Sequence, residues 1–370
     1  MPGSDAMPRG GVHDLVRASR AGSRRATARL LSLVEDGHPA IRTVMAATAA
    51  GTGRAQVIGV TGPPGVGKST TTAALVRALR EDGQRVAVLA VDPSSPFTGG
   101  ALLGDRVRMQ QHAVDPAVFV RSMATRGHLG GLARAAPQAL RVLEAAGWDV
   151  ILVETVGVGQ SEVEIAGLAD STVVLLAPGM GDGVQAAKAG VLEIGDVFVV
   201  NKADRDGAET TARELRQMLD LGFRTGAGAP GGVEVEAGAG AGAGEGSVAG
   251  AGEGSGAGRE PEAWRPPVLS TVANRGTGID ALVRALTEHH LWARDGGELR
   301  RRRMRRAAAE IEALTLAALR ERIGGVHDGG RLSGLAARVA AGDLDPYTAA
   351  DDLRAGLPGA DQGRGGPGWG

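Results

Sequence analysis

Eight consecutive residues, Gly62, Pro63, Pro64, Gly65, Val66, Gly67, Lys68 and Ser69, join three glycines to a lysine and a hydroxyl. This is the spacing G-x-x-x-x-G-K-[ST]. Glycines let successive backbone N–H groups turn inward around phosphate oxygens, and a helix beginning at the end of the loop adds a favourable dipole. Lys68 supplies a mobile cation for the β- and γ-phosphates, and the Ser69 hydroxyl is the expected magnesium ligand, with Thr70 following it. The surroundings fit, because a short apolar run at 57–60 precedes the loop and a helix-compatible stretch starts near Lys68.

Magnesium takes hard oxygen ligands, usually one or two carboxylates held directly or through water. Asp92 closes the apolar run 86–91 and Glu154 closes the run 150–153, so both are candidates beside Ser69. Each could also be a plain strand-end carboxylate. Gly157 stands three residues after Glu154, where a switch glycine would donate its N–H to the γ-phosphate, although the usual aspartate of D-x-x-G is here a glutamate.

A third group concerns the base. Asn201, Lys202, Ala203 and Asp204 follow the apolar run 197–200 and match N-K-x-D. The Asp204 carboxylate can accept from guanine N1–H and from the exocyclic amine, whereas adenine offers no donor there. Two lost hydrogen bonds to a charged group, at roughly 1.5–3 kcal/mol each, disfavour ATP by about 10²-fold to 10⁴-fold. Lys202 is expected along the base plane with a tie to the phosphate loop, Asn201 as a brace, and Thr271, Val272 and Ala273 as the last base-contacting loop.

These residues need a frame that brings strand ends together. The runs 57–60, 86–91, 118–120, 150–153, 172–176 and 197–200 are short, β-branched and bounded by Gly, Asp or Pro, with helix-compatible stretches such as 70–80 and 131–145 between them. The pattern predicts an α/β fold, a P-loop NTPase with a mostly parallel sheet covered by helices on both faces and ligands at the carboxyl ends of the strands. A helical segment at 12–36 is expected to pack on this domain, after a Pro/Gly-rich tail at 1–11. A last strand and helix are expected at 267–271 and 278–287. The stretch 225–258 is almost wholly Gly, Ala, Ser and Glu and reads as a disordered surface insertion. An amphipathic stretch at 298–323, a helical ending at 332–357 and a frayed tail at 358–370 complete the chain. The domains therefore read as 1–50, 51–290, 291–357 and a tail.

Composition narrows the partners. Lysine and arginine number 41 against 42 acidic residues, a net charge of -1, which gives no global attraction for nucleic acid or an anionic membrane. There are no cysteines, so disulfides and thiolate metal ligation are excluded, and a reducing cytoplasm is the expected compartment. No apolar run approaches the roughly 18 residues of a membrane span. The arginines at 300, 301, 302, 303, 305 and 306 read as the solvated face of a long helix rather than as a nucleic-acid patch.

The residues between these elements are more specific than any P-loop pattern. The segments 91–96 (VDPSSP), 104–109 (GDRVRM), 121–131 (RSMATRGHLGG), 154–162 (ETVGVGQSE) and 178–182 (PGMGD), with Gln185, Lys188, Ala189 and Gly190 after them, closely resemble the MeaB/ArgK/MMAA family. The resemblance runs from about residue 25 to 355. It implies a G3E-related, SIMIBI-class GTPase that chaperones an adenosylcobalamin-dependent acyl-CoA mutase, chiefly methylmalonyl-CoA mutase, and that forms a homodimer through a C-terminal helical dimerisation arm. It implies that Asp92 and Asp105 are switch residues near magnesium and the attacking water. Residues 154–162, including Gln160 and Glu162, would form a second switch, and Asp182, Gln185 and Lys188 a third that faces the mutase. Lys68, Asp92, Asp105, Glu154 and Gly157 are thus the expected catalytic set, with Arg126 or Arg108 as a candidate arginine finger. A transport-associated kinase or ATPase, a label the family has carried, is opposed by the guanine-reading element. A metal-insertion GTPase is opposed by the lack of cysteines and by only seven scattered histidines.

Overall fold

The computed structural model describes residues 11–93, 114–125, 131–155, 161–179, 191–224, 263–327 and 331–355. Of the tail expected at 1–11, residues 1–10 lie outside the described residues and Gly11 opens the first helix; the tail at 358–370 and the insertion at 225–258 also lie outside the described residues. Among those described, seven strands form one sheet: β1 (Gln56–Thr61), β2 (Val86–Pro93), β3 (Val118–Thr125), β4 (Val150–Thr155), β5 (Ser171–Leu176), β6 (Val197–Asn201) and β7 (Val268–Thr271). Their order is β3-β2-β4-β1-β5-β6-β7, and every pairing is parallel. From β1 the chain builds β2 and β3 on one side, returns to β4, and then lays β5 to β7 on the other side. The carboxyl end of β1 is the point where the winding direction reverses, which is where open parallel sheets bind ligands.

The strands are apolar on both faces because both faces are covered. Alternate residues separate the two layers. Val57, Leu89, Ile151 and Val153 pack in one cluster with the helices α1 (Gly11–Arg20), α2 (Arg24–Glu35), α3 (Ile41–Thr48) and α5 (Gly131–Ala145), while α4 is Lys68–Glu81 on the opposite face. There Ile58, Val60, Val88, Leu152 and Leu175 pack with Leu75 of α4 and with Leu282 and Leu286. Each fully buried side chain of this size contributes roughly 1.5–3 kcal/mol. Further along come α6 (Ser161–Leu168), α7 (Val191–Ile194), α8 (Ala208–Arg224) and α9 (Ile279–Asp295). Phe198 and Val200 of β6 meet Ala212 and Leu215 of α8.

The N-terminal segment packs on the domain as its periodicity predicts, but as three helices. Gly22 adopts φ +92 between α1 and α2, and the Ser23 hydroxyl caps α2 by accepting from the Ala26 N–H at 3.3 Å. Strand β3 runs to Thr125, five residues past the expected end at 120. Arg121 and Ser122 interrupt the apolar run, yet at the sheet edge the Arg121 guanidinium reaches α2, donating to Glu35 Oε2 at 2.7 Å and to Ser32 Oγ at 3.1 Å. Edge position makes a polar residue compatible with a strand.

The chain gathers into two compact units, Met1–Arg306 and Ala307–Gly370, the division falling within α10 (Glu298–His327). In the second unit the expected helical ending is two helices, α11 (Arg331–Ala340) and α12 (Pro346–Ala355). Gly342 at φ +79 turns the chain, and Asp345 Oδ1 accepts from the N–H groups of Tyr347 and Thr348 at 2.9 and 3.0 Å.

The arginine run corrects the sequence reading. Arg300, Arg301 and Arg305 are exposed, but Arg302, Arg303 and Arg306 turn inward, with only 12%, 21% and 15% of their side chains exposed. Arg302 donates to both oxygens of Asp196 at 2.7 and 2.8 Å, and Arg303 donates to Asp170 Oδ2 at 2.7 Å. Both aspartates are 1% exposed. Asp170 also accepts from the Val57 N–H at 3.1 Å, so this ion pair fixes the amino end of the strand that leads into the phosphate loop. Burial alone pushes the Asp196 carboxyl up, but the His289 imidazole and Arg302 guanidinium beside it lower it from 3.8 to about 2. These partners lie more than 100 residues from the arginines, so a solvated face was the natural reading of the run by itself.

Candidate functional site

The loop 62–67 joins β1 to α4 at the reversal point of the sheet. Gly62 has φ +138, and a side chain there would collide with the Leu175 carbonyl oxygen of neighbouring β5. Gly67 has φ +99 and would collide with the Asn201 amide in the same way. Both positions therefore need glycine for the backbone conformation and for the close approach of a neighbour. Helix α4 then starts at Lys68 with Lys68 and Ser69 buried, as the motif requires. Lys68 Nζ donates to the Gly62 and Pro63 carbonyls at 2.7 and 3.0 Å, which holds the cation over the loop's own turn.

Strand register brings Glu154 to this point. Glu154 of β4 pairs with Val60 of β1 on one side and with Ala90 of β2 on the other. The Ser69 hydroxyl donates to Glu154 Oε1 at 2.6 Å, and Glu154 is only 3% exposed. A hydroxyl beside a buried carboxylate is a hard-oxygen pair of the kind magnesium takes, so these two residues fit the ion. Beside them the hydroxyls of Thr61 and Thr155 lie 3.3 Å apart, a pairing the sequence reading missed. Asp92 falls two residues beyond Ala90 on β2, and nothing is described of its side chain. Asp105, Gly157, Gln160, Asp182, Gln185 and Lys188 lie outside the described residues, as do Arg108 and Arg126; Glu162 is described only as a position on α6.

The N-K-x-D element is tied directly to the phosphate loop. Asn201 ends β6 beside Thr271 of β7 and is 3% exposed. Its amide donates to the Val66 carbonyl at 2.8 Å, and its Oδ1 accepts from the Thr271 hydroxyl and the Ala273 N–H, both at 3.1 Å. One side chain thus joins three loops. Lys202 has φ 58, a left-handed conformation that a non-glycine residue adopts only when its surroundings enforce it. From there its Nζ donates to the Gly65 carbonyl at 2.6 Å.

Between these elements lies a cavity of about 210 Å³, lined by Gly67, Thr70, Asn201, Lys202, Asp204, Arg205, Ala273 and Asn274. Thr271 and Val272 do not line it. Thr271 braces Asn201, and the Val272 N–H donates to the Thr277 carbonyl at 3.0 Å. Asp204 has 37% of its side chain exposed and lies 3.8 Å from the Arg275 guanidinium. Arg205, Asn274 and Arg275 were not singled out from the sequence, although the last two directly follow the predicted loop at 271–273. A cavity with one carboxylate in its lining suits a flat base that presents two adjacent donors.

The chain is similar to known proteins over most of its length. The family model described as "Methylmalonyl Co-A mutase-associated GTPase MeaB" matches residues 27–327. A protein of Pyrococcus abyssi to which GTPase activity is ascribed is 43% identical over 340 residues, spanning 92% of this chain and 95% of that one. The GTPase ArgK of Escherichia coli is 35% identical over 304 residues, with 81% of this chain and 82% of that one covered. Among solved structures, a LAO/AO transport system kinase superposes with a TM-score of 0.64 at 26% identity, covering 94% of this chain and 98% of that chain. With its parallel P-loop fold and a family match over most of its length, the chain belongs to the MeaB family of P-loop GTPases and is an enzyme that hydrolyses GTP.

Proposed function

We propose that this GTPase is a nucleotide-switched chaperone that gates cofactor loading into an adenosylcobalamin-dependent acyl-CoA mutase, such as methylmalonyl-CoA mutase, and protects it. The observation that carries the reading is the family match over residues 27–327, whose description names that mutase. A cobalamin enzyme needs an open state for loading its bulky cofactor and a closed state for radical turnover. A partner that binds the two states unequally in its GTP and GDP forms supplies the bias.

In this reading Asp204 reads the base, Lys202 and Asn201 hold the base loop to the phosphate loop, and Lys68 leaves the Gly62 and Pro63 carbonyls to reach the β- and γ-phosphates. Ser69 and Glu154 would hold magnesium, with Asp92 as a further candidate; when bound, the ion neutralises phosphate charge. Asp105 and Gly157 serve the attacking water and the γ-phosphate. Gln160, Glu162, Asp182, Gln185 and Lys188 form the surface that reports the nucleotide state to the mutase. Homodimerisation through the C-terminal helices is supported by Ile311, Leu314 and Leu319 on α10, which are 65%, 44% and 45% exposed.

Lys68→Ala is expected to lower single-turnover GTP hydrolysis by about 10²-fold to 10³-fold, the typical cost of removing one preorganised donor to transition-state charge. Hydrolysis at the parental rate would remove Lys68 from the catalytic set. The client assignment is tested by a pull-down with the purified chain loaded with a GTP analogue or with GDP. A cobalamin-dependent mutase is expected in at least one state, with unequal recovery between the two. Recovery of no mutase in either state would sink the chaperone reading while leaving GTP hydrolysis intact.

A further inference from the structure

Two hydroxyls meet where β1 and β4 end. Side chains alternate along a strand, so Thr61 shares a face with Val57 and Gly59, and Thr155 shares it with Ile151 and Val153, the face away from α4. Thr61 and Thr155 stand one step past the Val60 and Glu154 partners of the parallel register. Their hydroxyls lie 3.3 Å apart, one donating to the other, and both residues are buried. Val57, Ile151 and Val153 on the same face are apolar, so two buried hydroxyls at this one step carry a desolvation cost that their mutual bond offsets.

The next element along the chain is fixed to the same face of β1. A Cβ at Gly59 would lie 2.9 Å from Cγ1 of the buried Ile165 and 3.1 Å from Cβ of Ala169, so the missing side chain is what lets the end of α6 sit directly on the strand. Just beyond, the Asp170 N–H donates to the Val57 carbonyl at 2.7 Å. The chain that leaves β4 is thus fastened at Thr61, at Gly59 and at Val57 in turn, and Thr61 itself leads into the phosphate loop. On the opposite face, the side of α4, the Ser69 hydroxyl holds Glu154 at 2.6 Å. Ser69 and Glu154 have magnesium to serve, whereas the two threonines lie on the other face and are left to hold the strand ends together.

We infer that Thr61 and Thr155 are positioning residues for GTP hydrolysis: their shared hydrogen bond sets where the chain leaving β4 begins relative to the phosphate loop. Their effect is exerted through residues 154–162, read above as the segment that meets the γ-phosphate through Gly157, and it rests on that reading. Because the hydroxyls are buried against each other and not against nucleotide, the pair acts on the rate of hydrolysis and not on nucleotide affinity.

The test is single-turnover GTP hydrolysis by the full-length protein, with GDP affinity measured beside it. Thr61→Val and Thr155→Val keep the side-chain shape and remove the hydroxyl. Each is expected to slow hydrolysis about tenfold with GDP affinity unchanged, the scale of one hydrogen bond that counts only in the transition state. Thr155→Ser keeps the hydroxyl and should restore the rate to within about twofold of the parent. The double valine variant should be no slower than either single one, because the same bond is already lost. Parental hydrolysis in either valine variant overturns the inference, as does slowing that persists in Thr155→Ser or that multiplies in the double variant. Loss of GDP binding together with hydrolysis would make the pair a support of the fold alone and overturns it too. Gly157→Pro, which has no N–H to donate, separates the two readings. Parental hydrolysis there removes residues 154–162 from the γ-phosphate and the inference with them, whereas slow hydrolysis there beside a parental Thr155→Val removes the hydroxyl pair alone.

Discussion

Asp204→Asn is expected to weaken GTP binding by about 10²-fold to 10⁴-fold, because both guanine donors lose a charged acceptor. Xanthosine triphosphate should improve at the same time, since its O2 accepts a bond from the new amide. The magnitude rests on how the carboxylate is placed. Asn201 and Lys202 tie the base loop to the Val66 and Gly65 carbonyls, so Asp204 is positioned before any nucleotide arrives. Its neighbour Arg275, 3.8 Å away and 68% exposed, is a weak competitor, as surface ion pairs contribute little. Titration of both triphosphates into the parent and the variant decides the matter. Equal GTP affinity in the two proteins would show that Asp204 does not read the base.

The second large effect lies at the opposite edge of the sheet. Arg302→Met should lower the stability of the GTPase unit by about 3–5 kcal/mol, the usual consequence of removing one partner from a buried ion pair. Asp196, 1% exposed, would keep its charge with the His289 ring at 3.2 Å and the Thr172 N–H at 2.8 Å but no cation of fixed charge beside it. Urea unfolding at neutral pH measures the loss, and a change below about 1 kcal/mol, the scale of a surface pair, would show that the pair is not structural.

Acid adds an independent check on the same residue. The folded Asp196 carboxyl sits near 2 against 3.8 ordinarily. A depressed carboxylate contributes stability that is present above the unfolded value and lost as pH falls through the folded one. Roughly 2–3 kcal/mol should therefore disappear between about pH 4 and pH 2 in the parent. Arg302→Met should flatten that part of the pH profile.

Much of this site is local chemistry and was legible in the residue order. The octet 62–69 and Asn201, Lys202 and Asp204 each announce a function through residue type and spacing, because the backbone conformations they need are formed within a few residues. The sheet was equally legible. Strands buried on both faces must be continuous apolar runs, and all seven observed strands overlap a strand position expected from the sequence. The far end of β3 was not legible, because Arg121 belongs to a strand only when Glu35 is beside it.

What the sequence determined by itself is a nucleotide-binding parallel α/β domain and the base it reads. What only the tertiary structure decided is everything that depends on partners remote in the chain. Glu154 meets Ser69 through register across β1 and β4. Asn201 becomes the joint of three loops because Val66, Thr271 and Ala273 converge on it. Arg302 and Arg303 turn from an apparently solvated charge run into anchors of β5 and β1 because Asp196 and Asp170 wait at the strand starts. Short-range geometry is written in spacing, whereas the burial that gives a charge its meaning exists only once distant strands have been packed together.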